Sequence, residues 1–105
     1  MTDKKLVLTA CSSIEEARKI AHSLVERQFA ACVNIVSQVE SVYRWEGKVE
    51  TASEFLLLIK TTEGAFEQVR DTLIELHSYE IPECIKIGIE DGSTDYLRWI
   101  GESVR

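Results

Sequence analysis

The chain is short of the residues that punctuate or staple a protein. One proline, Pro82, and five glycines among 105 residues leave no linker and no low-complexity segment, so residues 1–105 read as one domain. Three cysteines, Cys11, Cys32 and Cys84, are odd in number and lack C-x-x-C spacing. That excludes a disulfide framework or a zinc knuckle and points to free thiols in a reducing compartment. Long apolar runs are missing as well. Leu6-Val7-Leu8, after Met1-Thr2-Asp3-Lys4-Lys5, is far shorter than the ~7–15 residues of a signal-peptide core, and no segment approaches the ~20 of a membrane span. The expected setting is cytoplasmic, with no membrane partner. Positive charge is the scarcer sign, twelve Lys and Arg against eighteen Asp and Glu for a net charge of −6, and the basic residues form no stripe. Nucleic acid is therefore not an expected partner.

What is present is an ordinary globular composition, 45% apolar and 29% charged, and a hairpin too long for so small a protein. Strand-compatible sequence runs from about Cys32 to Trp45 and from about Val49 to Thr61. At ~3.3 Å per residue each arm spans roughly 45 Å, whereas a helix of about fourteen residues lying across the sheet reaches only ~21 Å. The arms overhang their own fold. The overhang carries Val39, Val42, Tyr43 and Trp45, an apolar edge that needs another subunit to cover it. An obligate oligomer is expected.

The remaining elements follow from periodicity. Lys5 to Cys11 reads as a first strand, and Ser13-Ile14-Glu15-Glu16 fits a capping box in which Glu16 reaches back to the cap residue's amide. Ile14, Ala17, Ala21, Leu24 and Val25 form the buried stripe of a helix ending near Arg27. In the second strand Val33, Ile35, Val39, Tyr43 and Trp45 alternate with Asn34, Gln38, Glu40 and Arg44, as on a half-exposed strand. The return strand is apolar on both faces from Phe55 to Ile59. Thr61 or Thr62 caps a second helix with the stripe Phe66, Val69, Leu73 and Leu76, and Pro82 breaks the chain. Cys84 to Glu90 alternates as a fourth strand, and Asp91-Gly92-Ser93 leads into a helix over 94–104. The order β-α-β-β-α-β-α predicts an α+β, ferredoxin-like sandwich with a C-terminal helix and a long projecting β-hairpin.

Five segments in this order carry a resemblance: Ala30-Ala31-Cys32-Val33-Asn34, Tyr43-Arg44-Trp45-Glu46-Gly47-Lys48, Leu58-Ile59-Lys60-Thr61-Thr62, His77-Ser78-Tyr79-Glu80-Ile81-Pro82-Glu83 and Tyr96-Leu97-Arg98-Trp99. Through them the chain resembles the CutA family of divalent-cation-tolerance proteins over nearly its whole length. The resemblance implies a PII-like homotrimer of ferredoxin-like subunits. It also implies a link to copper through a cysteine at the end of the first strand and a His-His pair. Here those positions hold Thr9, Leu76 and His77, so His77 alone is carried over as a metal residue, with Cys11 two residues along the strand as a substitute thiolate. The family's His-Pro-Tyr is His77-Ser78-Tyr79 here, and its proline in the last strand is Gly88; both changes restore a backbone N–H.

The resemblance further places Cys32, Trp45, Lys60, Tyr79 and Glu83 around a cleft between subunits that suits a small anionic or amphoteric ligand. A structural ion pair of Lys60 with Glu83 or Glu54 is the equal alternative. His22 reads as a surface histidine, Cys32 and Cys84 as small buried hydrophobes, and Glu46-Gly47-Lys48 as a solvated hairpin tip. No required cofactor and no enzymatic activity are expected, since the fold by itself implies none. The functions in view are divalent metal tolerance involving copper, a PII-like sensor of a cleft ligand, and a trimeric anchor for another protein.

Overall fold

The computed structural model describes residues 2–105. The elements are β1 (Lys4–Cys11), α1 (Ile14–Glu26), β2 (Cys32–Trp45), β3 (Lys48–Thr62), a single 3₁₀ turn (Glu63–Ala65), α2 (Phe66–Leu76), β4 (Ile85–Gly88) and α3 (Thr94–Ser103). The four strands form one antiparallel sheet in the order β2-β3-β1-β4. This is the ferredoxin-like arrangement expected from the element order.

Local chemistry sets the boundaries. Ser13 Oγ accepts the Glu16 N–H at 3.2 Å and opens α1. The helix closes in a Schellman motif: Phe29 N–H reaches the Leu24 carbonyl at 2.9 Å and Gln28 N–H the Val25 carbonyl at 3.1 Å, with Gln28 in the left-handed region at φ 63°. At the hairpin tip Glu46 (φ 49°) and Gly47 (φ 80°) turn the chain so that Trp45 faces Lys48. Two successive positive φ angles match the right-handed twist of the arms. Thr62 Oγ1 accepts the Ala65 N–H and starts the turn into α2.

One face of the sheet is buried. Val7 and Cys11 of β1 and Leu57 and Ile59 of β3 pack with Ala17, Ile20 and Leu24 of α1 and Val69 and Leu73 of α2 into the core. The α1 stripe differs from the expected one: Ile20 is fully buried, while Val25 is 41% exposed. Ala17, Ile20, Ala21 and Leu24 stand at i, i+3, i+4 and i+7, and Val25 lies one position past the edge of that face. On α2, Val69 and Leu73 are buried as expected, joined by Thr72, with Phe66 and Leu76 partly buried at the rim.

The opposite face carries Leu6, Leu8, Leu56, Leu58 and Lys60, and the partners opposite Leu8 and Leu6 on β4 are Ile85 and Ile87. α3 covers only part of it, through Ile100. Ile85 and Ile87 therefore remain 49% and 42% exposed. β4 is also shorter than the expected Cys84–Glu90, although Ile89 N–H still donates to the Lys4 carbonyl at 3.0 Å.

The long hairpin is present, but its faces are not continuous. Val36 pairs with Leu56 and Val39 with Glu54, so Ser37 and Gln38 together stand opposite Phe55 in a β-bulge, with Gln38 at φ 60°. Because side chains alternate with period two, the extra residue reverses the pattern. Val33 and Ile35 face the helices; Val39, Tyr43 and Trp45 fall on the other side, with Glu54. The expected single face from Val33 to Trp45 is thus corrected to two half-strands. Beyond the bulge Val42 and Val49 are 66% and 64% exposed.

The corrected stripe has a measurable consequence. Ile20→Ala is expected to cost about 2–5 kcal/mol of folding stability, the range for truncating a buried Ile. Val25→Ala should stay within about 0.5 kcal/mol. Urea unfolding at one fixed protein concentration checks both.

Candidate functional site

The end of β1, the first turn of α1 and the loop after α2 converge on His77. This residue closes α2, its N–H donating to the Leu73 carbonyl at 2.9 Å, and its ring is buried. Nε2 donates to the Ala10 carbonyl at 2.7 Å, and Tyr79 N–H donates to Nδ1 at 3.2 Å. A carbonyl only accepts and an amide only donates, so the ring is neutral with its hydrogen on Nε2.

Glu16 completes the corner, and not as its capping motif predicts. Its carboxylate turns to the loop: Oε1 accepts Ser78 N–H at 3.1 Å, and Oε2 lies 3.4 Å from His77 Nδ1. The Ser78 N–H, which a proline would lack, ties the loop to α1. Glu16 Oε2 is buried and has no hydrogen-bond partner. Cys11 Sγ stands 3.9 Å from His77 Nε2, and one ligand atom each from Cys11, Glu16 and His77 fall within 4.8 Å of one another. Burial first, then the Glu16 carboxylate and the charge of Glu54, push the Cys11 thiol up to about 12. Of the other positions the resemblance marks for metal, Thr9 is fully buried in the sheet and Leu76 packs at the core rim. Neither side chain offers a ligand suited to copper.

Beside this corner lies an open groove of about 570 Å³ lined by Tyr43, Trp45, Glu54, Tyr79, Ile81 and Glu83, among others. Tyr79 joins the two. Its ring tilts against His77 with centroids 4.7 Å apart, and its hydroxyl donates to Glu54 Oε2 at 2.6 Å. Burial and the Glu54 carboxylate hold the Tyr79 hydroxyl protonated far above the usual tyrosine range.

The five expected cleft residues thus divide into two groups within one chain. Trp45, Tyr79 and Glu83 share the groove. Cys32 and Lys60 are cross-strand partners farther along the sheet, where Lys60 Nζ donates to Tyr96 Oη at 3.1 Å. Lys60 and Glu54 stand six positions apart on β3, or ~20 Å at ~3.3 Å per residue. The alternative ion pair of Lys60 with Glu54 or Glu83 is not formed within the chain; Tyr96 takes its place.

The family model described as CutA1 divalent ion tolerance protein matches residues 5–103. The chain belongs to the CutA1 family. The divalent-cation tolerance protein CutA of Thermus thermophilus is 44% identical over 100 residues, covering 95% of this chain and 97% of that one. The crystal structure of CutA from Xylella fastidiosa superposes with a TM-score of 0.97 at 36% identity, covering 99% of this chain and all of the other. The periplasmic divalent cation tolerance protein CutA from Archaeoglobus fulgidus gives 0.93 at 41%, with 97% and 99% covered. Membership in the CutA1 family therefore does not assign a compartment. Among the described residues no helix is long and apolar enough to cross a membrane.

Three site residues escaped the sequence reading or entered it in other roles. The capping motif accounts for Glu16 in another role, Glu54 is expected only as an ion-pair partner, and Tyr96 stands only within the segment Tyr96-Leu97-Arg98-Trp99 that carries the resemblance. Their contacts span 62, 25 and 36 residues, and no local pattern encodes such distances. Cys32 and Cys84 are half-buried rather than buried; Cys11 is the enclosed thiol. His22 is exposed, as expected.

The Cys11 thiol gives a test of this geometry. Its folded-state pKa is raised, so the unfolded chain loses its proton first as pH climbs, and stability falls between the thiol's ordinary 9.0 and about 12. Cys11→Ala should remove that part of the decline in unfolding experiments above pH 9. At pH 8 iodoacetamide should alkylate the half-buried Cys32 well before Cys11 in the folded protein, as peptide mass mapping would show.

Proposed function

We propose that the chain acts in tolerance of divalent metal ions, copper among them, as a cytoplasmic homotrimer with no catalytic activity of its own. Membership in the CutA1 family supports the metal-tolerance part, and three free thiols agree with a reducing compartment. The uncovered apolar sheet face and the exposed hairpin support assembly with further copies of the chain.

The observation that carries the reading is the separation of the two cleft groups by ~20 Å of strand. A head-to-tail association would bring Cys32 and Lys60 of one chain against Trp45, Tyr79 and Glu83 of its neighbour. The volume of the groove, about 570 Å³, falls in the range of small-molecule sites. This favours a second, PII-like reading in which the completed cleft holds an anionic or amphoteric metabolite through Lys60 and an aromatic ring. Anchoring of another protein has no comparable feature behind it.

Growth of a gene-deletion strain under zinc and copper challenge tests the tolerance, with rescue by this chain expected and no growth defect overturning it; native mass spectrometry tests the assembly and the cleft together. Three subunits are expected, and any molecule retained in the cleft should be lost in Lys60→Ala while the trimer persists. Folded single chains at low concentration would rule out the shared cleft.

A further inference from the structure

The groove beside the hairpin carries charge of one sign. Glu54, Glu80 and Glu83 line it together with the rings of Tyr43, Trp45 and Tyr79, and no basic side chain does. Among the described residues none of the three carboxylates has an ion-pair partner. Glu80 and Glu83 are exposed to water, but Glu54 is only 8% exposed. A carboxylate so enclosed is costly without a cation beside it. Here Oε2 takes the Tyr79 hydroxyl at 2.6 Å, a neutral donor that leaves the charge uncompensated.

The rings point to the same kind of ligand. Tyr43 and Trp45 are each 43% exposed, on the side of the hairpin where Glu54 lies. An aromatic face next to carboxylates attracts a cation twice over, through the ring quadrupole and through opposite charge. The exposed Ile81 adds an apolar wall for a short carbon stem. An anion, by contrast, would meet three carboxylates. Lys60 of a neighbouring copy, brought in by head-to-tail assembly, would set one positive charge against three. The completed cleft would still favour a ligand with a positive end.

We propose that the groove binds a small primary alkylammonium, whose N–H groups donate to the carboxylates of Glu54 and Glu83 and whose stem lies against Trp45. Carboxylate acceptors call for N–H donors, so a primary amine fits better than a quaternary one. A volume of about 570 Å³ leaves room for a stem of several carbons. The ammonium end is read by one chain alone; that the same molecule also carries an anionic group for Lys60 rests on the shared-cleft reading.

The probes are 1,4-diaminobutane, tetramethylammonium and glutarate, each titrated calorimetrically into the full-length protein at neutral pH. A fixed salt concentration of about 0.15 M screens loose attraction between exposed charges. One diamine per chain is expected, with tetramethylammonium at least about tenfold weaker and glutarate unbound. Glu54→Gln keeps an oxygen for the Tyr79 hydroxyl but removes the charge, and it should weaken diamine binding by about tenfold or more. Glu83→Gln, at an exposed position, should weaken it too and serves if circular dichroism shows Glu54→Gln unfolded. The site is overturned by an absence of diamine binding, or by affinity unchanged in the folded Glu54→Gln or, in its place, Glu83→Gln. Tetramethylammonium or glutarate binding as tightly as the diamine overturns it as well. Lys60→Ala separates this claim from the shared cleft. Folded single chains, or Lys60→Ala, that still bind the diamine spare the ammonium site whatever becomes of the cleft. Glutarate bound more tightly than the diamine and lost in Lys60→Ala defeats the ammonium site and spares the cleft.

Discussion

The mismatch in length between β3 and β1 governs this structure. β3 has fifteen residues and β1 eight, so β1 pairs only with the stretch from Phe55 to Thr62. The remainder, Lys48 to Glu54, is backed by β2 alone. A two-stranded ribbon has no core of its own and is marginal in water, yet here it carries Val42, Tyr43, Trp45 and Val49 into solvent. The bulge at Ser37 and Gln38, opposite Phe55, sits where β1 ends and the sheet gives way to the ribbon. It also turns Tyr43 and Trp45 toward the side of the sheet on which Glu54 lies.

The groove forms at that step. Glu54 is the last β3 residue before the shared ladder with β1 begins, and it would be a costly buried carboxylate without the Tyr79 hydroxyl. The loop that supplies Tyr79 is held by three successive residues. His77 bonds β1 through Ala10, Ser78 bonds α1 through Glu16, and Tyr79 bonds β3 through Glu54. The buried corner and the groove are thereby joined through one tripeptide. Tyr79 takes part in both, its amide on His77 Nδ1 and its hydroxyl on Glu54.

Much of the fold could be read from local patterns. The helices are marked by i, i+3, i+4 repeats and by Ser13 and Thr61 or Thr62 as caps, the strands by alternation, and the tip by Glu46-Gly47; the structure selects Thr62. Where the reading slipped, a neighbour was responsible. Val25 is apolar and adjacent to the buried stripe, but only packing decides which edge of a stripe is covered. The bulge carries no glycine to advertise it, since Gln38 itself adopts the left-handed conformation. Ile85 and Ile87 alternate as a buried face would, yet their side of the sheet is the one α3 leaves open.

The order and character of the elements were determined by the chain itself, because hydrophobic period, capping and turn chemistry act over a few residues. So was the overhang of the hairpin, since arm length follows from residue count alone. Tertiary structure alone decided that Glu16 abandons its cap for His77, that Cys11 rather than Thr9 closes on that ring, and that Lys60 meets Tyr96 instead of a carboxylate. Each depends on which atoms of distant segments compete for one hydrogen-bond partner in a space with little water, and that competition exists only once the sheet has brought them together.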